Sequence, residues 1–149
     1  MNRMPIARTC AVIGLLFVVA SCAPRTAIIP APAAPPFPEF VYPSPAEAPP
    51  AEVLADHQSA WNLLQSGDAR GAERRFASVI KRAPDFYAAH AGAGYASLSR
   101  KDHKGALAHF DLALAANPGY APALAGKGQT YLAMNDRAQA LAAFDAALA

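Results

Sequence analysis

The stretch Tyr87–Tyr120, YAAHAGAGYASLSRKDHKGALAHFDLALAANPGY, decides the fold because its pattern recurs 34 residues earlier and 34 residues later. Small, aromatic and acidic residues each return at this spacing without a gap. The matching sets are Ala72, Ala106 and Ala140; Phe76, Phe110 and Phe144; Asp68, Asp102 and Asp136; Ala60, Gly94 and Gly128; Val79, Ala113 and Ala147; and Pro84 with Pro118. A fixed period of this length is typical of repeat proteins.

Each unit contains two apolar-periodic stretches of about a dozen residues, separated by a short break. The breaks are Ser66–Asp68, Lys101-Asp102 and Asn135-Asp136. Gly and Asn accept the left-handed conformation that ends a helix, and Asp caps the amides of the next one. Proline at the end of a unit terminates its second helix. We therefore predict helix pairs, with Asp85 capping the helix that follows Pro84.

The pattern resembles the tetratricopeptide repeat (TPR), which has small residues at positions 8 and 20, an aromatic residue at 24 and proline at 32. The corresponding units are 53–86, 87–120 and a shortened 121–149. The resemblance implies an all-α, right-handed α-solenoid of three helix-turn-helix repeats over residues 51–149. Small residues would let paired helices cross closely, with the phenylalanines filling the space between units.

The resemblance also implies a concave groove lined by the first helix of each unit. Carried over by position, the candidate groove residues are Leu54, His57, Trp61, Leu64, Phe86, Tyr95, Leu98, Tyr120 and Gln129. Trp61, Tyr95 and Gln129 form a ladder at the period of 34. Such a groove suits an extended or helical apolar peptide. It lacks the Lys and Asn or Arg of the carboxylate clamp found in some chaperone-binding relatives. The alternative is that Trp61 and Tyr95 are packing residues.

Residues 1–22 have the pattern of a secretory signal, since Arg3 and Arg8 precede an apolar stretch too short to span a bilayer. Val19-Ala20-Ser21-Cys22 resembles the bacterial lipobox, which implies cleavage before Cys22 and acylation of that residue. Ala23 replaces the Asp that often retains such lipoproteins in the inner membrane, which favours the outer membrane, facing the periplasm. The alternatives are a plain signal peptide or an uncleaved anchor.

Residues 23–50 contain ten of the 14 prolines, which exclude a helix or a central strand. We predict a disordered, extended tether that holds the folded region away from the membrane. The patch Phe37–Tyr42, FPEFVY, is unusually apolar for a spacer. It is either a tolerated apolar stretch or a peptide that docks, for example in the groove of its own chain.

Charge and motif content point away from catalysis and nucleic acid. Without residues 1–22, eleven basic residues face eleven acidic ones, so the basic stripe of a nucleic-acid binder is missing. Cys10 leaves with the signal and Cys22 carries lipid, so no thiolate ligand remains. No histidine pair has metal-ligand spacing, and no phosphate loop or nucleophile motif is complete. We expect no cofactor, no metal and no enzymatic activity.

The leading hypothesis is a lipid-anchored scaffold or adaptor that binds another envelope protein. The alternative is an accessory that recruits or regulates a peptidoglycan-active enzyme. The last helix would leave an apolar stripe, Leu141, Phe144 and Leu148, partly open. Since terminal repeats normally need a polar outer face, either the chain forms a homodimer there, or a partner covers the stripe, or the sequence is a fragment. The basic cluster around Arg74 in the first unit is interpreted as a solvated face, or as a contact for anionic lipid or cell-wall polymer.

Overall fold

The computed structural model describes residues 48–149, and regular structure in this range is entirely helical. The helices are α1 (Ala51–Gln65), α2 (Ala69–Arg82), α3 (Tyr87–Ser99), α4 (His103–Ala116), α5 (Ala121–Ala133) and α6 (Arg137–Leu148). Each helix packs on the next one in the chain, and α3 also packs on α1 and α5. The first helices of the pairs therefore form one layer and the second helices another, which confirms the all-α solenoid of helix pairs.

The three breaks inside the pairs share one backbone geometry. Gly67, Lys101 and Asn135 have φ of 90°, 64° and 63°, the left-handed conformation that reverses the chain. The aspartate that follows each of them caps the next helix. Asp68 accepts a hydrogen bond from the amide of Gly71 at 2.8 Å, and the equivalent caps of α4 and α6 measure 3.0 and 3.1 Å. The predicted breaks and these caps are confirmed.

The predicted cap at Asp85 is wrong. Helix α3 begins after Phe86, and no side chain caps it. Helix α5 begins in the same way after Tyr120. At both places a buried aromatic ring, 5 % exposed, occupies the position before the helix and anchors the connection between pairs by apolar burial.

Neighbouring helix pairs pack closely where a phenylalanine ring of one pair contacts a glycine of the next. A Cβ atom built on Gly92 would stand 2.4 Å from the ring of Phe76, and one built on Gly126 would stand 2.3 Å from the ring of Phe110. Both rings are fully buried. These contacts join α2 to α3 and α4 to α5, so the phenylalanines fill the space between units as expected. The residue 34 positions before Gly92 is Gln58, which is exposed on α1.

Within a pair, the small residues serve a further purpose. Gly94 and Gly128 make room for the rings of Phe110 and Phe144, with a built Cβ only 2.6 Å away in each case. Sequence reasoning placed these glycines opposite Ala106 and Ala140, which are indeed buried. The closest neighbour of each glycine is nevertheless the aromatic ring, so the ring sets the requirement for glycine.

Burial is uneven along the stack. Ten of the 13 residues of α3 are buried, whereas Ala140 is the one buried residue of α6. Leu141 is 63 % and Leu148 87 % exposed, and Phe144 is half-buried. The apolar stripe on the last helix therefore lies open.

The expectations for residues 1–22, for Cys22 and for most of the 23–50 tether fall outside the described residues. Within residues 48–149, no helix combines the length and the hydropathy needed to cross a bilayer.

Candidate functional site: the face of the first helices

Tyr95 lies at the centre of the layer formed by α1, α3 and α5. Its ring meets those of Trp61 of α1 and Phe110 of α4 edge-on, with distances between ring centroids of 6.1 and 5.1 Å. Its hydroxyl donates a 2.7 Å hydrogen bond to the carbonyl oxygen of Pro122, at the start of α5. Burial raises the pKa of the Tyr95 phenol well above its usual range. Tyr95 has no exposed surface, so in this conformation it connects three helices.

His57 is likewise enclosed by aromatic rings. Its imidazole stands 5.6 Å from the ring of Phe76 and 5.1 Å from that of Phe86. Burial lowers the pKa of His57 to about 4, and a hydrogen bond with the backbone of Ala88 opposes this shift only in part. The imidazole is therefore neutral at pH 7 and adds no charge to the face.

An aromatic row continues from the face onto the connections between pairs. Phe86 and Tyr87 are 6.4 Å apart, and Tyr87 meets Tyr120 edge-on at 4.8 Å. Pro49 and Pro50 border a depression shared with Phe86 and Tyr87, where the chain enters α1. Sequence reasoning named Phe86 and Tyr120 but missed Tyr87. The signal was available, because Tyr87 is the aromatic neighbour of Phe86 at the first position of a unit.

The other candidate groove residues differ in exposure. Leu64 is 2 % and Trp61 5 % exposed, whereas Leu54, Leu98 and Gln129 are half-buried. The structure therefore brings Trp61 and Tyr95 of the ladder into contact. Gln129, the third member of the ladder, is polar and half-buried. None of the candidate residues is charged. Binding at this face stays a prediction, with most of its aromatic surface enclosed in this conformation.

The ion pairs that follow join first helices to second helices. Arg75 of α2 pairs with Asp56 at 3.1 Å, and Arg82 pairs with the same carboxylate. Lys127 pairs with Asp111 at 2.7 Å. Exposed pairs of this kind contribute little to stability. Within the part of the chain that the structure describes, no group of three His, Cys, Asp or Glu side chains could hold a metal ion.

A stack of antiparallel helix pairs is the architecture of helical-repeat proteins. Two family models, both described as tetratricopeptide repeat, match residues 57–121 and 97–149. Together they cover residues 57–149, so the helical region of this chain contains tetratricopeptide repeats.

One similar solved structure is described as the second TPR of Spaghetti (RPAP3) bound to HSP90 peptide SRMEEVD. It is 15 % identical to this chain, with a TM-score of 0.61, and the similarity covers 66 % of this chain and 91 % of that one. At this identity the likeness concerns the fold. No curated protein matches the sequence significantly.

Proposed function

We propose that this protein is a scaffold of the bacterial envelope that binds an apolar segment of a partner protein on the face of α1, α3 and α5. The observation that carries the proposal is the composition of the candidate groove residues on these helices, which include Trp61, Tyr95 and Leu98 and no charged side chain. Aromatic side chains provide a large contact area at low entropic cost and dominate binding where they become buried.

The similar structure supports recognition of a peptide and also marks a difference in chemistry. Its ligand, SRMEEVD, contains three acidic residues. The candidate groove residues of this chain are uncharged, and the low pKa of His57 keeps its imidazole neutral at pH 7. A carboxylate-rich peptide would lose hydration here without gaining an ion pair. The proposed ligand is therefore apolar, in an extended or helical conformation.

The proposed location rests on residues 19–22 and on the proline-rich segment that follows. Acyl chains on Cys22 would anchor the chain, and the absence of Asp after Cys22 favours the outer membrane. Residues 23–50 would hold the repeats in the periplasm. Metabolic labelling with a palmitate analogue tests the anchor. We expect Cys22→Ser to abolish the label and Cys10→Ser to retain it. Equal labelling of the two variants would reject Cys22 as the attachment site.

A pair of leucine substitutions tests the binding face. Leu98→Glu places a charge on α3 within the face, whereas Leu112→Glu places one on α4, where Leu112 is already 52 % exposed. In cross-linking and affinity capture from envelope extracts, we expect the first variant to lose partners that wild type and the second variant retain. Thermal melting of both variants verifies that each is folded. Equal capture by two folded variants would exclude this face.

The open stripe on α6 belongs to a separate proposal, that two copies associate through Leu141 and Leu148. These side chains are 63 % and 87 % exposed, and exposed apolar patches mark sites of association. Sedimentation equilibrium tests this idea. A mass that stays monomeric at all concentrations, unchanged by Leu141→Gln, would remove the homodimer.

A further inference from the structure

The face of α1, α3 and α5 retains little exposed surface at its centre. Ala91 and Tyr95 of α3 have no exposed surface, and Trp61 of α1 retains 5 %. Among the six described helices, α1 packs only on α2 and α3, and no helix lies across this layer. Since no helix covers it, the face can accept a further layer of apolar side chains.

The same chain contains a segment with the matching chemistry. Phe37–Tyr42 reads FPEFVY, with four large apolar or aromatic residues and one charge. Prolines flank it on both sides, at Pro35, Pro36 and Pro43. Proline-rich stretches favour the polyproline II conformation, and aromatic-lined grooves recognise that conformation at low entropic cost. An uncharged aromatic face and a nearly uncharged aromatic segment are complementary.

Chain length places this segment within reach of the face. Eight residues join Tyr42 to Pro50, which allows a span of up to about 26 Å. Trp61 lies ten residues into α1, about 15 Å along its axis. Six residues of polyproline II extend about 19 Å, and three neighbouring helices at 8–10 Å spacing cover roughly 16–20 Å. The described chain enters beside Phe86 and Tyr87, where Pro49 and Pro50 already border the aromatic row.

We propose that Phe37–Tyr42 occupies this face in the resting protein and acts as a tethered competitor of the partner peptide. This inference rests on the proposed binding function and assigns its regulation. A partner must displace the segment before it reaches Trp61 and Tyr95. A tether of this length gives an effective concentration on the order of 1 mM. A segment with a dissociation constant of about 100 µM would then weaken a competing peptide about tenfold.

The test uses the full chain, a segment variant (Phe37→Ala, Phe40→Ala, Tyr42→Ala) and a control variant (Ile28→Ala, Ile29→Ala) elsewhere in the tether. The probe is a fluorescein-labelled synthetic peptide with the sequence of residues 35–44. We expect the segment variant to bind it about tenfold more tightly than wild type or control, by fluorescence anisotropy. The chain has one tryptophan, so acrylamide quenching reports on Trp61 alone and should rise in the segment variant only.

Two results would overturn the inference. One is the absence of peptide binding to the segment variant together with equal Trp61 quenching in all three proteins. The other is a wild-type quenching that changes with protein concentration in parallel with dimer formation, since the segment would then occupy a second copy. Either result can occur together with loss of partner capture in Leu98→Glu. In that case the proposed binding function is retained, and the proposal that Phe37–Tyr42 occupies the face is rejected. If the segment variant behaves as expected but Leu98→Glu still captures its partners, the segment occupies the face and the partner-binding function fails.

Discussion

Replacing Gly126 by alanine should destabilise the protein although alanine is the better helix former. Gly126 is buried on α5, and a Cβ atom there would stand 2.3 and 2.4 Å from two carbons of the Phe110 ring. The ring cannot retreat easily, because it is fully buried against Gly94 and stands 5.1 Å from the ring of Tyr95. Helix propensity favours alanine by about 1 kcal/mol, and overpacking a dense core costs about 1–3 kcal/mol or more.

The clash is severe enough to place the cost at the upper end of that range, so we expect a net loss of about 2 kcal/mol. For about 100 folded residues this corresponds to a Tm lower by roughly 8–16 °C. Gly119→Ala is the matched control, because nothing lies within 4 Å of a Cβ at Gly119 and its φ is not positive. Urea unfolding followed by circular dichroism should leave the control within about 0.5 kcal/mol of wild type.

A double-mutant cycle separates the ring contact from other effects. Phe110→Leu removes part of the ring and should itself destabilise the protein, but it also creates space for the new methyl group. The combined Gly126→Ala, Phe110→Leu variant should then lose less stability than the sum of the two single changes. If Gly126→Ala is as stable as wild type, or if the two changes add, Phe110 does not require glycine at this position.

Three further changes follow from buried side chains. Phe110→Ala should cost about 3–5 kcal/mol, a large share of the stability of so small a repeat array, and a Tm within a few degrees of wild type would contradict this. Tyr95→Phe leaves the Pro122 carbonyl without its 2.7 Å donor and should cost about 1–2 kcal/mol in urea unfolding; a neutral change would show that this hydrogen bond is unimportant. The pKa of His57 is about 4 in the folded protein, below its ordinary value of 6.5, so the unfolded chain binds more protons in acid. Stability should therefore fall by up to about 3 kcal/mol as the pH drops from 6.5 to 4, and His57→Gln should flatten most of this dependence.

The 34-residue period was sufficient to predict the helix pairs, because glycine, asparagine and aspartate at the breaks act through local backbone geometry. Lys101 shows that the period carries more information than residue type, since it adopts the same left-handed conformation as Gly67. Asp85 was mispredicted because a local capping propensity yielded to burial of the neighbouring Phe86. The need for glycine at Gly92 and Gly126 depends on contacts between units, although their 34-residue spacing was visible in the sequence.

The burial of Tyr95 could not be deduced from its repeat position, which usually faces a ligand. Its position depends on the proximity of Trp61, Phe110 and the Pro122 carbonyl, which come from three other helices. Sequence periodicity identifies which residues share a face but does not determine how deeply each is enclosed. The half-buried residues Leu54 and Leu98 are therefore better probes of binding than the buried aromatic residues of the ladder, Trp61 and Tyr95.

Stability and recognition are consequently coupled through α3. This helix contains no charged residue, and its burial joins the first pair to the last. A substitution such as Trp61→Ala would remove a proposed ligand contact and also a ring that packs on Tyr95. Loss of binding in that variant would have two explanations. Either the ligand contacts residue 61 directly, or weaker packing of α3 lowers the affinity without such a contact. A ligand that binds only the folded state raises the Tm of the variant that it binds. A peptide that raises the Tm of Trp61→Ala but not that of Leu98→Glu would therefore be recognised mainly through Leu98.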